Sequence, residues 1–281
     1  MLKLYMNLFK IIEKLYKFWE EKIESIPFFE NNIIVGAGTF HPVCFFSSLK
    51  RQQNSFMGVQ KCTRKADGRY GESPNRLASH HQFQVLIHNS DLDIVSLYKE
   101  SLEYIGLKDK FIYFNENNWE NISIGAIGVG SEVLCDNTEI SQFTYFQKMA
   151  DITLENRTVE VAYGLERILC CLNLSSIYDC KWSKNISYKE MRKEEEKQFS
   201  NYYFNFNKGS EKEFNEFISE SNMLIEYNLY LPAYENLLKA IDIFNSMDAK
   251  KEISQINRKE YISITRKTAN KIALNYLNNL N

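Results

Sequence analysis

The sequence predicts an α+β protein with an antiparallel sheet flanked by helices and a helical C-terminal region. Runs of strand-forming residues joined by hairpin-like loops occupy the first two-thirds of the chain, which favours antiparallel pairing over a βαβ series. Ten of the 11 glycines and three of the four prolines lie before residue 165, so turns are concentrated there. We therefore expect one mixed domain over residues 1–183 and a helical region over residues 184–281.

The N-terminal segment predicts an amphipathic helix. Apolar residues recur at helical spacing between residues 4 and 23, and charged residues interrupt them. No uninterrupted apolar segment with a small-residue cleavage site follows, so a signal peptide is not expected. No window reaches the roughly 18 apolar residues of a membrane span, so no membrane association is expected.

The remaining elements follow from local periodicity and turn residues. Strands are predicted near residues 56–64, 80–88, 111–115, 131–135, 139–147 and 158–163. A helix is predicted over residues 91–105, with Ser90 as its N-cap. Residues 233–247 and 258–280 have apolar positions at helical spacing and predict two C-terminal helices.

Composition limits the possible functions. At 281 residues and 44% hydrophobic content, the chain can bury a large core. The formal net charge of −2 gives no general attraction to nucleic acid, so RNA binding would need a local patch or a partner. The six cysteines show no C-x-x-C pair and no zinc spacing, which is typical of reduced thiols in a cytoplasmic protein.

Several common catalytic motifs are missing from the sequence. The glycine strings at 36–38 and 125–130 lack the strand–G-x-G-x-x-G–helix setting, and we interpret them as turns. No Walker A loop is present. His80 and His81 are adjacent rather than four residues apart, which argues against a histidine-ligated zinc site. A nucleotide site in this chain would therefore consist of arginines and carboxylates.

Two stretches fit such a site. Residues 62–76, C-T-R-K-A-D-G-R-Y-G-E-S-P-N-R, predict a strand end and an arginine-rich loop, and a return strand begins at residue 80. Residues 160–169, E-V-A-Y-G-L-E-R-I-L, predict a strand that turns into a helix with an arginine in its first turns. Arg64 ends the incoming strand, where a guanidinium can bind one phosphate with two hydrogen bonds. Taken alone, the loop residues Arg69 and Arg76 are equally compatible with solvated surface charge.

Several strings in register carry a resemblance to a known family. They are G-A-G-T-F-H-P (36–42), D-G-R-Y-G-E-S-P-N-R (67–76), H-Q-F-Q-V (81–85), N-N-W-E-N (117–121), Q-F-T-Y-F-Q (142–147), Y-G-L-E-R (163–167) and L-P-A-Y-E (231–235). Together they resemble the alpha subunit of the bacterial two-subunit glycyl-tRNA synthetase. The resemblance implies a class II synthetase fold, with residues 1–183 as the catalytic domain.

The resemblance implies an ATP site. Arg64 would bind the α-phosphate, and Arg167 would brace adenine and the outer phosphate, so that these two are the catalytic residues. Arg69 and Arg76 would also contact ATP, and Phe83 would stack on adenine. The implied reaction joins glycine to AMP and then transfers it to the 3′ end of tRNA.

A glycine site is implied as well. Glu160 would hold the ammonium group by charge-assisted hydrogen bonds. Gln84 and Gln142 would be further glycine-binding residues, and Trp119 would be the wall that excludes a methyl group. An ordinary core role for Trp119 is nearly as compatible with the sequence. Glu139, three residues before Gln142, would bind Mg²⁺.

Strand alternation conflicts with part of this set. Gln82 and Gln84 share one face of their strand, whereas Phe83 lies on the other, unless a bulge intervenes. Alternation likewise separates Glu139 from Gln142, so a bulge is needed there too.

The chain also departs from the family pattern. The family has a second arginine where Thr63 stands, tryptophans at Ile127 and Ser131, a glutamate at Ile34 and a threonine at Ala162. The residues predicted to bind phosphate are retained, so activity is expected. Because of the changes at Ile127 and Ser131, the exact composition of the amino-acid pocket does not follow from the family pattern.

The family's assembly implies partners. Two alpha and two beta chains are expected, with an alpha homodimer and with the beta subunit doing much of the tRNA(Gly) binding. Two other hypotheses remain open at this point. One is a non-catalytic class II paralogue that binds glycine, a nucleotide or a partner. The other is an ATP-dependent ligase that activates a carboxylate without tRNA.

Overall fold

The computed structural model describes residues 6–51, 53–65, 75–108, 112–207 and 209–280. The strands are β1 (Ser25–Phe28), β2 (Ser55–Thr63), β3 (Ser79–His88), β4 (Ile112–Asn121), β5 (Ala126–Cys135), β6 (Thr138–Met149) and β7 (Ile152–Gly164). The helices are α1 (Leu8–Lys22), α2 (Pro42–Leu49), α3 (Ile94–Leu102), α4 (Leu165–Asn173), α5 (Tyr188–Asn205), α6 (Glu211–Glu226), α7 (Tyr230–Ala249) and α8 (Gln255–Asn278).

The seven strands form one sheet in the order β1-β2-β3-β7-β6-β5-β4. Strands β2 to β7 pair antiparallel, whereas β1 pairs parallel to β2 at one edge. The predicted fold class is therefore confirmed, with one strand added. Strand β1 was not predicted, because it has only four residues and contains Pro27, which an edge strand tolerates.

One face of the sheet packs against α1, α3 and α4. Alternate residues of the central strands, among them Phe83 and Tyr163, are buried there with Trp19, Tyr98 and Ile168 from the three helices. The indole of Trp19 donates to the Tyr163 hydroxyl at 3.1 Å. These helices fix which strand residues turn away from solvent on that side.

The opposite face is covered at one end by α2, α7 and α8. Phe45, Tyr234 and Ile272 from these helices pack with Leu86 and Phe146 from the strands. The rings of Phe45 and Tyr234 stack with their centroids 4.3 Å apart. The two C-terminal helices therefore share a core with the sheet, while the other end of this face stays open.

Two local predictions were wrong. Helix α3 begins after Asp93, not Ser90, because the Asp93 carboxylate accepts the Ser96 amide at 3.1 Å. The string at 125–130 is mostly β5 rather than a turn. Gly130 is required there because an added Cβ would lie 1.8 Å from the Phe143 carbonyl oxygen on β6.

The predicted N-terminal and C-terminal helices are present as α1, α7 and α8. Across the part of the chain that the structure describes, no helix has the length and apolar character needed to cross a membrane.

Candidate active site

A cleft on the open end of the sheet is lined by five of the ten predicted site residues. It is lined by the ends of β3, β6 and β7, the first turn of α4, and the segments that flank residues 66–74. Arg64, Arg76, Glu139, Gln142 and Arg167 all line it. Arg69 lies outside the described residues.

Arg64 directly follows β2 and is held by its backbone and by one side-chain nitrogen. Its amide donates to the Ala78 carbonyl at 2.7 Å, which joins the two sides of the segment between β2 and β3. Its Nε donates to the Gly36 carbonyl at 2.9 Å. Neither Nη nitrogen has a hydrogen bond to a described residue, so both can bind an anion in the cleft.

Arg167 is the third residue of α4 and reaches across to β6. Its Nη1 donates to the Glu139 carboxylate at 2.7 Å and to the Glu139 carbonyl at 3.0 Å. The guanidinium is therefore oriented before any ligand binds. Gly164 ends β7 and caps α4, which places Arg167 beside the last residues of the strand.

A β-bulge brings Glu139 and Gln142 to the same cleft. In the pairing of β5 with β6, Val133 lies opposite Ser141 and Leu134 lies opposite Glu139, so β6 carries one extra residue at Ile140. This is the bulge that the spacing of Glu139 and Gln142 required.

Strand β3, in contrast, has no bulge. Its register with β2 and with β7 is continuous, so Gln82 and Gln84 face the cleft side and Phe83 faces the helices. Phe83 has no exposed surface and packs edge-on against Tyr16, with ring centroids 4.9 Å apart. The prediction that Phe83 stacks on adenine is therefore wrong for this structure.

Glu160 is a buried carboxylate on the cleft face of β7. Its side chain accepts a hydrogen bond from the Thr39 hydroxyl at 2.8 Å through Oε2. Within the described part of the chain, Oε1 of Glu160 has no hydrogen-bond partner, and neither has the hydroxyl of Thr144, which lies directly opposite on β6. Oε1 of Gln84, which lies on the neighbouring strand β3 two residues before the one opposite Glu160, is also unpaired. Unpaired buried acceptors are costly, so their grouping indicates a place for a donor.

Burial raises the pKa of Glu160 to about 7, and the Thr39 hydrogen bond opposes that rise. A cationic ligand beside this carboxylate would reverse the effect, because an opposite charge favours the ionised form. A cation beside Glu160 would therefore lower its pKa again.

A further contact that sequence reasoning missed fixes α4 against β3. Glu166, next to Arg167, is buried and accepts the His81 amide at 2.9 Å and the His81 Nδ1 at 2.7 Å. The burial of Glu166 raises its pKa, but its His81 contacts outweigh this and lower it overall. Glu166 lies inside the Y-G-L-E-R string, so the motif already included this residue. Nothing in the sequence spacing indicated that its partner is His81.

Trp119 lies on the cleft face of β4, opposite Gly128 of β5. Its ring packs against Phe146, with centroids 5.4 Å apart, and it is half-buried. It does not line the cleft around Arg64. Its role as the wall against a methyl group stays a prediction.

Three of the five departures from the family pattern lie on β5 and β7, where the strand register shows which face each one occupies. Ser131 pairs with Phe143, and both Ile127 and Ser131 alternate with Gly128 and Gly130, so their side chains point away from the cleft. Ala162 lines the cleft between Gln84 and Gln142. The change at Ala162 therefore alters the pocket directly, whereas the other two act through the far face of the sheet.

No cluster of three or more histidine, cysteine, aspartate or glutamate side chains able to hold a metal is found among the residues described. Glu139 is the carboxylate of the cleft with the most exposure, at 41% of its side chain, and it already pairs with Arg167. A Mg²⁺ ion here would need phosphate oxygens and water for most of its ligands, which is how Mg²⁺ is usually bound.

Comparison with known proteins found similar solved structures and similar sequences. Two solved structures of a pyrrolysyl-tRNA synthetase from Desulfitobacterium hafniense each cover 66% of this chain. The first is 13% identical over 74% of that protein, with a TM-score of 0.48, and the second is 11% identical over 77%, with a TM-score of 0.43. The glycine–tRNA ligase alpha subunit of Petrotoga mobilis is 41% identical over 280 residues, or 96% of each chain.

A family model described as glycyl-tRNA synthetase alpha subunit matches residues 8–281. With the sheet and the cleft described above, this match makes the protein an aminoacyl-tRNA synthetase, a class of enzymes that uses ATP as a substrate. The chain belongs to the glycyl-tRNA synthetase alpha subunit family.

The raised pKa of Glu160 predicts a pH-dependent stability. The unfolded carboxyl ionises near its ordinary pKa and the folded one near 7. The contribution of Glu160 to the free energy of unfolding is therefore fully present below the ordinary pKa and is lost as the pH rises through 7. The difference in unfolding free energy between Glu160→Gln and the wild type should therefore change by about 2 kcal/mol in favour of the variant when the pH rises from about 5 to about 8. Urea denaturation of both proteins measures this, and an equal difference at both pH values would contradict it.

Proposed function

We propose that this chain is the catalytic alpha subunit of a glycine–tRNA ligase, that it forms glycyl-AMP in the cleft, and that it transfers glycine to the 3′ end of tRNA(Gly). One observation carries the residue assignments. The buried Glu160 carboxylate has an unpaired oxygen on the sheet face that also carries Gln82 and Ala162, and these two residues line the cleft together with Arg64 and Arg167. An amino acid and a nucleoside triphosphate need just these two kinds of charge.

The ammonium group of glycine binds Glu160. Oε1 of Glu160, the Thr144 hydroxyl and Oε1 of Gln84 are three acceptors that lack described partners, and an ammonium group has three protons to donate. Gln142 closes the cleft on the β6 side. Because glycine has no side chain, alanine must be excluded by contact with its methyl group, and Trp119 is the proposed wall.

Arg64 binds the α-phosphate of ATP. The glycine carboxylate attacks the α-phosphorus in line, a new oxygen–phosphorus bond forms, and the bond to the bridging oxygen breaks as pyrophosphate leaves. The protein supplies position and charge stabilisation rather than covalent help. Arg76, Arg167 and Arg69 are the proposed partners of the outer phosphates.

Mg²⁺ would be held by the phosphates of ATP and by Glu139. When bound there it would neutralise phosphate charge. The single ion pair of Glu139 with Arg167 leaves its second carboxylate oxygen available to the metal.

The surface of α1 and β1 supports an alpha homodimer. Phe9, Ile26 and Phe29 are 56%, 46% and 94% exposed, and exposed apolar surface of this kind is typical of protein–protein contacts. Phe9 and Phe29 line one apolar groove with Trp182, and β1 is the edge strand of the sheet. We propose an assembly of two alpha and two beta chains in the cytoplasm. The beta subunit would supply much of the tRNA binding, which fits the net charge of −2.

A non-catalytic paralogue is the alternative, and the site does not favour it. Arg64, Arg167 and Glu160 are all retained, and Arg64 and Arg167 line the same cleft. The charged residues that Thr63 and Ile34 replace are not among those assigned here to phosphate or to the ammonium group.

Removal of the α-phosphate ligand should abolish most of the activation step. Arg64→Ala is expected to lower kcat/KM for glycine-dependent exchange between ATP and pyrophosphate by roughly 10²- to 10³-fold, the usual effect of losing one stabilising donor. The matched control is Arg157→Ala, because Arg157 forms an exposed pair with Asp91 outside the cleft. Full exchange activity in Arg64→Ala would contradict the assignment.

The proposed homodimer can be tested at its most exposed aromatic side chain. Phe29→Asp places a charge in the apolar surface and should convert the isolated alpha chain from dimer to monomer in sedimentation velocity. Phe206→Asp is the control, because Phe206 follows α5 and is also exposed, at 68%, and this variant should leave the dimer intact. A Phe29→Asp chain that sediments as a dimer would rule out this surface.

A further inference from the structure

Helices of the C-terminal region hold both described ends of the segment that joins β2 to β3. Lys65, immediately after Arg64, contacts α7 through Asp242. Ala78 and Ser79, at the start of β3, contact α5 through Glu196. The two acidic residues come from different helices, and each is partly or fully withdrawn from solvent.

The contact at the first end is a buried ion pair. Nζ of Lys65 lies 2.8 Å from the Asp242 carboxylate, and the two side chains are 5% and 21% exposed. The same nitrogen contacts the Ser246 hydroxyl and lies 4.9 Å from the ring centroid of Tyr203. Breaking one side of such a pair leaves an unpaired charge in a poorly solvated place, so the geometry is strongly enforced.

The contact at the second end uses backbone amides. One oxygen of Glu196 accepts the Ala78 amide at 2.5 Å, and the other accepts the Ser79 amide at 3.3 Å. Arg192, one turn earlier on α5, donates to Glu196 at 2.9 Å and to the Ser79 carbonyl at 3.3 Å. Helix α5 therefore binds both the backbone amide and the backbone carbonyl of Ser79.

Arg64 lies between these two contacts. It precedes Lys65 in the chain, and its amide donates to the Ala78 carbonyl at 2.7 Å. Any displacement of Lys65 or Ala78 therefore moves the backbone of Arg64. Neither Asp242 nor Glu196 lines the cleft around Arg64, so neither can touch the substrate there.

We propose that Asp242 and Glu196 are positioning residues for the activation reaction, which hold Arg64 at the α-phosphate and make ATP binding depend on the placement of α5 and α7. The inference rests on the proposed function for the role of Arg64. It goes beyond it because it makes the C-terminal helices part of the ATP site rather than only a support for tRNA or a partner.

A double-mutant cycle separates positioning from packing. Lys65→Met and Asp242→Leu each leave one buried charge unpaired and should lower the thermal midpoint. The double variant removes both charges and should recover most of that loss. If the pair positions Arg64, the double variant should still show an ATP Kd at least tenfold above the wild type by calorimetry. Its KM for ATP in the exchange reaction should rise in parallel, with the glycine KM changed less than twofold.

Recovery of ATP affinity together with thermal stability in the double variant would overturn the proposal, because the pair would then only hold the helices in place. Asp248→Asn is the matched control. Asp248 lies on the same helix and pairs with Arg258 rather than with the β2–β3 segment. Its ATP Kd should equal the wild-type value, and a tenfold rise there would also count against the inference.

Glu196 is tested by the conservative change Glu196→Gln, because Arg192 keeps a second partner in Glu195. The amides of Ala78 and Ser79 should exchange with deuterium at least tenfold faster, and the ATP Kd should rise. Unchanged exchange or unchanged ATP affinity would refute its role.

The proposed function and the positioning role of Asp242 and Glu196 are refuted by different results. A wild-type chain that binds ATP but shows no glycine-dependent exchange refutes the proposed function, and the calorimetric ATP Kd values still decide the positioning role. A wild-type chain that binds no ATP refutes both.

Discussion

The register of β3, β7 and β6 is the constraint on which the rest of the site depends. Side chains alternate with a period of two along a strand, so a slip of one residue would move a whole set to the other face. Because β3 is regular, Gln82 and Gln84 lie with Glu160 on the face of the sheet that carries the cleft. Because β6 has one extra residue at Ile140, Glu139 reaches the cleft that also contains Gln142.

The charges of the cleft are arranged before any substrate binds. Arg167 is already oriented by Glu139, and Arg64 by the Gly36 carbonyl. Glu160 is different, because it is buried with one oxygen unpaired and its pKa is raised to about 7. Burial of the Glu160 carboxylate costs free energy, and an ammonium ligand bound to its unpaired oxygen would offset part of that cost.

Much of the fold could be predicted from the sequence because its strands and helices have clear periodicity and strong turn residues. The short strand β1 could not, since four residues around Pro27 carry no alternation. The bulge at Ile140 was foreseen only as a requirement of the spacing between Glu139 and Gln142. A single sequence has no means of placing it, because a bulge depends on the partner strand.

The candidate site was predictable where a role depends on residue type and spacing, and unpredictable where it depends on packing. Phe83 was assigned to adenine because its string resembles a motif, yet regular alternation turns it into the core. Asp242 and Glu196 are far from Arg64 in the sequence and lie on helices whose polar residues look like solvated faces. Only the packing of α5 and α7 against the β2–β3 segment shows what they bind.

The most direct test of the central assignment is a crystal structure of the protein with a non-hydrolysable sulfamoyl analogue of glycyl-AMP. We expect the analogue's amino group to lie within hydrogen-bond distance of Oε1 of Glu160, and an Nη nitrogen of Arg64 to contact the sulfamoyl group. An analogue bound with its amino group elsewhere, while Glu160 keeps only its Thr39 contact, would contradict this assignment.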